Sequence, residues 1–160
     1  MKRILQAFLV GTVVAFGGGS LALAGNMPEA AAGTWTLNLS KSKFSPGPAP
    51  KSQTRVYTHG ADGTTLKVDG VAADGTPISQ QSTFKYDGKE YAFTGAPNFD
   101  TITLKQVDAH TVHSTQKRKG KDVGTTTRTV SADGKTLTLA SKGTDAKGGA
   151  FDDVMVFDKK

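Results

Sequence analysis

Three histidines, His59, His110 and His113, are the side chains of this 160-residue chain best suited to proton transfer or metal ligation. His110 and His113 stand three apart, a spacing that aligns two ligands on a helix but turns them to different sides on a strand or turn. A metal site needs further ligands, and none is placed near them by pattern. Five of the fourteen carboxylates fall in Asp-Gly pairs, at Asp62-Gly63, Asp69-Gly70, Asp74-Gly75, Asp87-Gly88 and Asp133-Gly134. There an aspartate shapes a turn rather than a reaction. Asp152-Asp153 is an adjacent acidic pair, but strand neighbours point to opposite faces, so the two do not share one site. There is no Gly-x-Ser-x-Gly, phosphate loop, dinucleotide fingerprint or calcium loop. The chain has no cysteine, hence no thiol nucleophile, thiolate ligand or disulfide. A non-catalytic protein without metal or cofactor is the expectation.

The charges are nearly as plain. Twenty basic side chains stand against fourteen acidic ones, net +6, scattered except for Lys117-Arg118-Lys119-Gly120-Lys121. Nucleic-acid binding needs a wider basic face, with aromatic residues interleaved if single strands are bound. The run reads instead as a solvated hairpin tip, and no nucleic-acid partner is expected.

Met1-Lys2-Arg3 followed by an apolar stretch to Leu23 and the small-residue exit Ala22-Leu23-Ala24 is the pattern of a cleaved signal peptide. Residues 1–24 are expected to be removed, which places the protein in the periplasm or outside the cell with no remaining membrane span. The rival reading is a retained anchor, since the stretch is about long enough to cross a bilayer. The triple glycine Gly17-Gly18-Gly19 argues against it. Residues 25–32 are small and polar and read as a flexible lead-in. Residues 33–160 then form one domain, long enough to bury a real core.

Regular structure begins abruptly at Gly33. In 33–40, Trp35, Leu37 and Leu39 share one face, while Thr34, Thr36 and Asn38 share the other, which is the period of a half-buried strand. Pro46, Pro48 and Pro50 make 41–51 an extended loop, with Phe44 expected to plug one end of the core. Further strands are expected at 53–59, 64–71, 76–86, 89–94, 100–107, 111–119, 122–131, 135–142 and 151–158. Asp69-Gly70 falls inside one of them and suggests a bulge. The fold class is therefore all-β: an antiparallel up-and-down meander of about ten strands. Closure into a barrel, complete or nearly so, removes the exposed edges; a two-sheet sandwich or an open curved sheet is the alternative.

Parity along the strands separates inside from outside. Leu66 with Val68, Ile102 with Leu104, Tyr91 with Phe93, and Leu137 with Leu139 read as core. Other faces are mixed. Gln80 and Ser82 accompany Ile78, Phe84 and Tyr86; Ser114 and Gln116 accompany Val112; Thr126 and Arg128 accompany Val130. Such groups fit a hydrated cavity or a partly exposed sheet edge, because a dry core penalises unpaired polar atoms. The second half of the last strand, around Val154-Met155-Val156-Phe157, is apolar on both faces. That suits a strand buried on both sides or one closing the barrel against the first.

Gly33-Thr34-Trp35-Thr36-Leu37 resembles the Gly-x-Trp opening strand of lipocalins and fatty-acid-binding proteins. The ending Val154-Met155-Val156-Phe157-Asp158-Lys159 is similar to the fatty-acid-binding type. The segment from Lys41 to Lys51, with Asp87-Gly88-Lys89 and Ala132-Asp133-Gly134-Lys135-Thr136-Leu137, also resembles small exported bacterial lipocalin-like proteins without an assigned activity. The resemblance implies a calycin barrel. Fatty-acid-binding proteins place two lid helices where the 41–51 loop is too short to hold them. Their last strand carries an Arg-x-Tyr pair that holds a carboxylate, and the matching positions here look like Met155 and Phe157. By that resemblance Arg128, or Arg55 if its strand turns that face inward, substitutes as anchor, or the ligand is uncharged. The candidate ligand-binding set is Trp35, Arg55, Tyr57, Gln80, Phe84, Tyr86, Tyr91, Phe93, Gln116 and Arg128. The expected partner is a small hydrophobic or amphipathic molecule. The alternative is an envelope structural or interaction module with a filled core and no ligand.

Overall fold

A computed structural model describes residues 27–160. The expected signal peptide, 1–24, lies outside the described residues. Of the expected lead-in, 27–31 is a short helix, α1 (Met27–Ala31), rather than irregular chain. Its last residue, Ala31, is fully buried, and its carbonyl accepts a 2.7 Å hydrogen bond from Trp35 Nε1.

Ten strands follow: β1 (Gly33–Leu37), β2 (Ser52–Gly60), β3 (Gly63–Val71), β4 (Pro77–Phe84), β5 (Asp87–Ala92), β6 (Thr101–Gln106), β7 (Thr111–Arg118), β8 (Lys121–Val130), β9 (Thr136–Thr144) and β10 (Ala150–Lys159). All pairings are antiparallel, in the order β4-β3-β2-β1-β10-β9-β8-β7-β6-β5. The first and last strands are therefore neighbours, and the meander curls into a barrel whose one seam lies between β4 and β5. That seam is stitched rather than laddered. Gln81 and Thr94 exchange two backbone hydrogen bonds, and Ser82 Oγ donates to the Ala92 carbonyl at 2.7 Å. The barrel is nearly closed.

Local chemistry explains where elements end. Asp74 Oδ1 accepts from the backbone N and the hydroxyl of Thr76, tightening the β3–β4 turn. The Thr76 N–H is the main reason that carboxyl lies below the usual range. Lys119 and Gly120, with φ of 50° and 76°, make the tip of the β7–β8 hairpin, so the basic run straddles a turn. Lys117 pairs with Glu90 at 2.9 Å, and Arg118 Nε donates to the Asn98 carbonyl.

Three expectations change. Leu39 leaves the first strand and is 45% exposed. The reason is Asn38, whose Oδ1 accepts from Lys41 N and Ser40 Oγ and starts a 3₁₀ turn at Leu39–Lys41. The chain then rejoins β10, where Lys43 and Val154 exchange backbone hydrogen bonds. Phe44 is half-buried outside the core cluster and plugs neither end. Asp69-Gly70 is no bulge, because β2 and β3 stay in register through it. Gly70 is there for clearance: a Cβ would press on the Ser52 carbonyl. Register does shift between Asp87 and Glu90, and between Gln116 and Lys117.

The apolar floor of the barrel holds Trp35, Val130, Leu137 and Phe157, all nearly or wholly buried. Each contributes about 1.5–3 kcal/mol of burial. α1 closes this end from below through the Trp35–Ala31 hydrogen bond.

Candidate functional site

Above the floor the interior is not filled. A cavity of about 240 Å³ runs between the strands, from Arg55 and Arg128 up to Asn98, Phe99 and Thr144. Strand register orders its wall into rungs. Val112, Arg128, Leu139 and Met155 lie side by side across β7 to β10. Two residues further along, Leu104, Ser114, Thr126, Ser141 and Asp153 form the next rung. Gln116, Gly124, Gly143 and Phe151 form the one after that. The glycines let β8 and β9 approach closely, since a Cβ on Gly143 would meet the Val123 carbonyl oxygen.

The lower rung carries charge. Arg128 is 5% exposed and Arg55 is 9% exposed. Arg128 Nη2 donates to the Tyr86 hydroxyl at 2.9 Å, and its guanidinium lies over the Tyr57 ring, 4.9 Å from the centroid. Arg55 reaches Gln53 Oε1 at 3.2 Å and lies 5.6 Å from the Phe157 ring centre. Among the described residues neither arginine has an acidic partner; the ion pairs formed are Lys41–Asp158 and Lys117–Glu90, both elsewhere. Arg55 Nε, Arg128 Nε and the Tyr57 hydroxyl are buried without a hydrogen-bond partner. The two guanidinium groups therefore act on Tyr57 as nearby charges. Burial alone would push its phenol up, but Arg55 and Arg128 outweigh burial and hold it below the ordinary value. For Tyr86 burial prevails over Arg128, and the phenol lies above the ordinary value. Burial opposes the charge on Arg128, yet the two phenols offset that and its pKa is raised. It is a full cation at any ordinary pH.

Of the residues expected to meet a ligand, Arg55, Tyr57, Gln80, Phe84, Phe93, Gln116 and Arg128 lie on the cavity wall. Tyr86 stands behind the wall and fixes Arg128. Trp35 lies beneath the cavity in the floor packing. Tyr91 turns its hydroxyl to the Asp87 carboxylate at 2.9 Å. Unforeseen on the wall are Ser141, Asp153, Asn98, Phe99, Gly124 and Phe151. Asp153 accepts from Ser45 N, and burial, together with repulsion from Asp152, raises its carboxyl pKa.

The histidines stay apart. His59 Nδ1 is 3.4 Å from Thr64 Oγ1, His113 Nδ1 is 3.1 Å from Thr127 Oγ1, and His110 occupies the β6–β7 turn. No group of three histidine or acidic side chains converges among the described residues. No helix among them is long and apolar enough to cross a membrane.

No family model matches the chain, and no curated protein does. Among solved structures, it is similar to the zebrafish ileal bile acid-binding protein complexed with cholic acid. The TM-score is 0.51 and the identity 14%, with 82% of this chain and 99% of that chain covered. At this identity the likeness is one of fold alone: a nearly closed ten-stranded antiparallel barrel.

Proposed function

We propose that this protein binds one compact amphipathic anion inside its barrel, with the anionic head on Arg128 and Arg55 and the apolar body against Phe84, Phe93 and Leu104. The observation that carries this reading is two buried arginines facing a cavity, neither of them ion-paired to a carboxylate among the described residues. A buried charge without a partner is costly to keep. An incoming carboxylate, sulfonate or phosphate supplies the missing counter-ion and accepts from the orphaned N–H groups. Asp153, higher on the wall, repels an anion and so favours the head-down orientation. At about 240 Å³ the cavity lies just below the roughly 300–1,000 Å³ of most small-molecule sites. The ligand is accordingly short-chained or single-ringed.

The open interior favours this over a filled-core envelope module. The likeness to a bile acid-binding protein supports it at the level of fold. The leader pattern of residues 1–24 supports export, so the ligand is met in the periplasm or outside the cell. No catalytic step is part of the reading.

Calorimetric titration with decanoate and with decanol separates charge recognition from greasiness. Decanoate is expected to bind saturably, and decanol at least about tenfold more weakly, as one charge-assisted contact implies. Equal binding of the two, or none by either, would sink the proposal.

A further inference from the structure

The upper rung carries polar chemistry that the arginine anchor does not use. Ser114, Thr126 and Ser141 are neighbours on β7, β8 and β9, all face inward, and are 8%, 9% and 8% exposed. Aliphatic side chains at three buried positions in one row would pack as ordinary core; hydroxyls there face the cavity instead.

Counting protons shows what the row leaves open. The Ser114 hydroxyl donates to the Thr126 carbonyl at 3.2 Å. The Gln116 amide gives one hydrogen bond to Ser114 Oγ at 3.3 Å and one to Thr126 Oγ1 at 3.0 Å. Thr126 Oγ1 and Ser141 Oγ lie 2.8 Å apart, so one of the two donates to the other. A hydroxyl carries one proton. The pair therefore keeps one donor unspent, while Gln116 keeps its carbonyl oxygen as an acceptor. Gly124 and Gly143, directly above, put no side chain over that opening.

We propose that this hydroxyl row is a second recognition site, which selects a ligand bearing a hydroxyl group on its body. The inference rests on the anion-binding reading above and adds the substrate class: a hydroxylated amphipathic anion in preference to its unsubstituted analogue. Thr126 stands two residues from Arg128 on β8, so the row lies about 7 Å along the strand from the anchor's rung. A ligand hydroxyl there both accepts the spare proton and donates to the Gln116 carbonyl. A site built to pair a hydroxyl discriminates against a ligand lacking it, because its own polar atoms then go unpaired.

The test titrates decanoate, 3-hydroxydecanoate and 5-hydroxydecanoate into the wild-type protein and into Thr126→Val/Ser141→Ala, with circular dichroism melts for both. At least one hydroxy acid is expected to bind the wild type about five- to tenfold more tightly than decanoate, the scale of one net hydrogen bond. In the double variant that advantage over decanoate, measured on the same protein, shrinks to within about twofold. Ser141→Ala alone serves if the double variant melts early, and is expected to lose part of the same advantage. Decanoate binding with no gain from either hydroxyl, or a gain that survives the substitutions, overturns the hydroxyl site and leaves the anion reading standing. Absence of binding by all three acids overturns both.

Discussion

The guanidinium of Arg128 lies 4.9 Å from the centre of the Tyr57 ring, inside the barrel, with no carboxylate among the described residues to balance it. An aromatic face takes up part of such a charge, worth up to about 2 kcal/mol when desolvated. It does not replace a counter-ion. The arrangement holds a positive potential ready in a cavity of ligand dimensions.

The first consequence concerns pH. Tyr57 ionises below the usual phenol value of about 10 because Arg55 and Arg128 stabilise its phenolate. A depressed folded pKa means that ionisation favours the folded ligand-free state. The added stability is absent below the folded pKa, grows as pH rises through it, and is complete above about 10. The same phenolate competes with an anionic ligand for the arginines. Decanoate affinity is therefore expected to fall as pH rises from 7 towards 10, and Tyr57→Phe to flatten that profile. An unchanged slope in the variant would show that Tyr57 is not the competing group.

Removing the unpaired charge should not cost stability. Arg128→Met deletes a buried cation, and what it gives up is the 2.9 Å hydrogen bond to Tyr86 and the contacts with the Tyr57, Phe84 and Tyr86 rings, which the apolar methionine side chain packs against in turn. The urea midpoint is expected to hold or rise, by up to about 3 kcal/mol in unfolding free energy. A large loss would mean that Arg128 is a structural keystone.

The floor answers to different forces. Trp35→Phe strands the Ala31 carbonyl, which accepts from the indole at 2.7 Å, and leaves a gap in a fully buried site. A loss of about 1–3 kcal/mol is expected, followed by circular dichroism because the chain has one tryptophan. A ligand titration followed by Trp35 emission should be weak, since the indole is not on the cavity wall.

Gly143→Ala tests the close approach of β8 and β9. The new methyl meets the Val123 carbonyl and the Gly124 backbone, neither of which can swing away. Destabilisation of about 1–3 kcal/mol is expected, with weaker decanoate binding as β8 and the wall residues it carries, Gly124 and Thr126, are pushed out of place. A neutral outcome in both measurements would contradict the observed register.

Much of the barrel is legible in the chain because period-two alternation survives small boundary errors. Gln80, Ser82 and Phe84 share a face whether β4 begins at residue 76 or 77, and Arg55 with Tyr57 follows the same parity. Height along the barrel axis is not coded that way. Trp35 and Phe93 both face inward, yet one lies in the floor and the other on the cavity wall. The upper wall was only partly legible. Ser114, Thr126 and Ser141 follow the parity of apolar neighbours on their strands, whereas Gly143 continues β9 to Thr144, beyond the expected strand, where no hydrophobic signal marks the inward face. Leu39 shows the converse: alternation implied burial, and a local Asn38 cap won.

The claim that the buried arginines are a ligand anchor is tested most directly by calorimetric titration of decanoate into Arg128→Met beside the wild-type protein. The account predicts saturable binding by the wild type and at least about tenfold weaker binding by the folded variant. Equal affinities would contradict it.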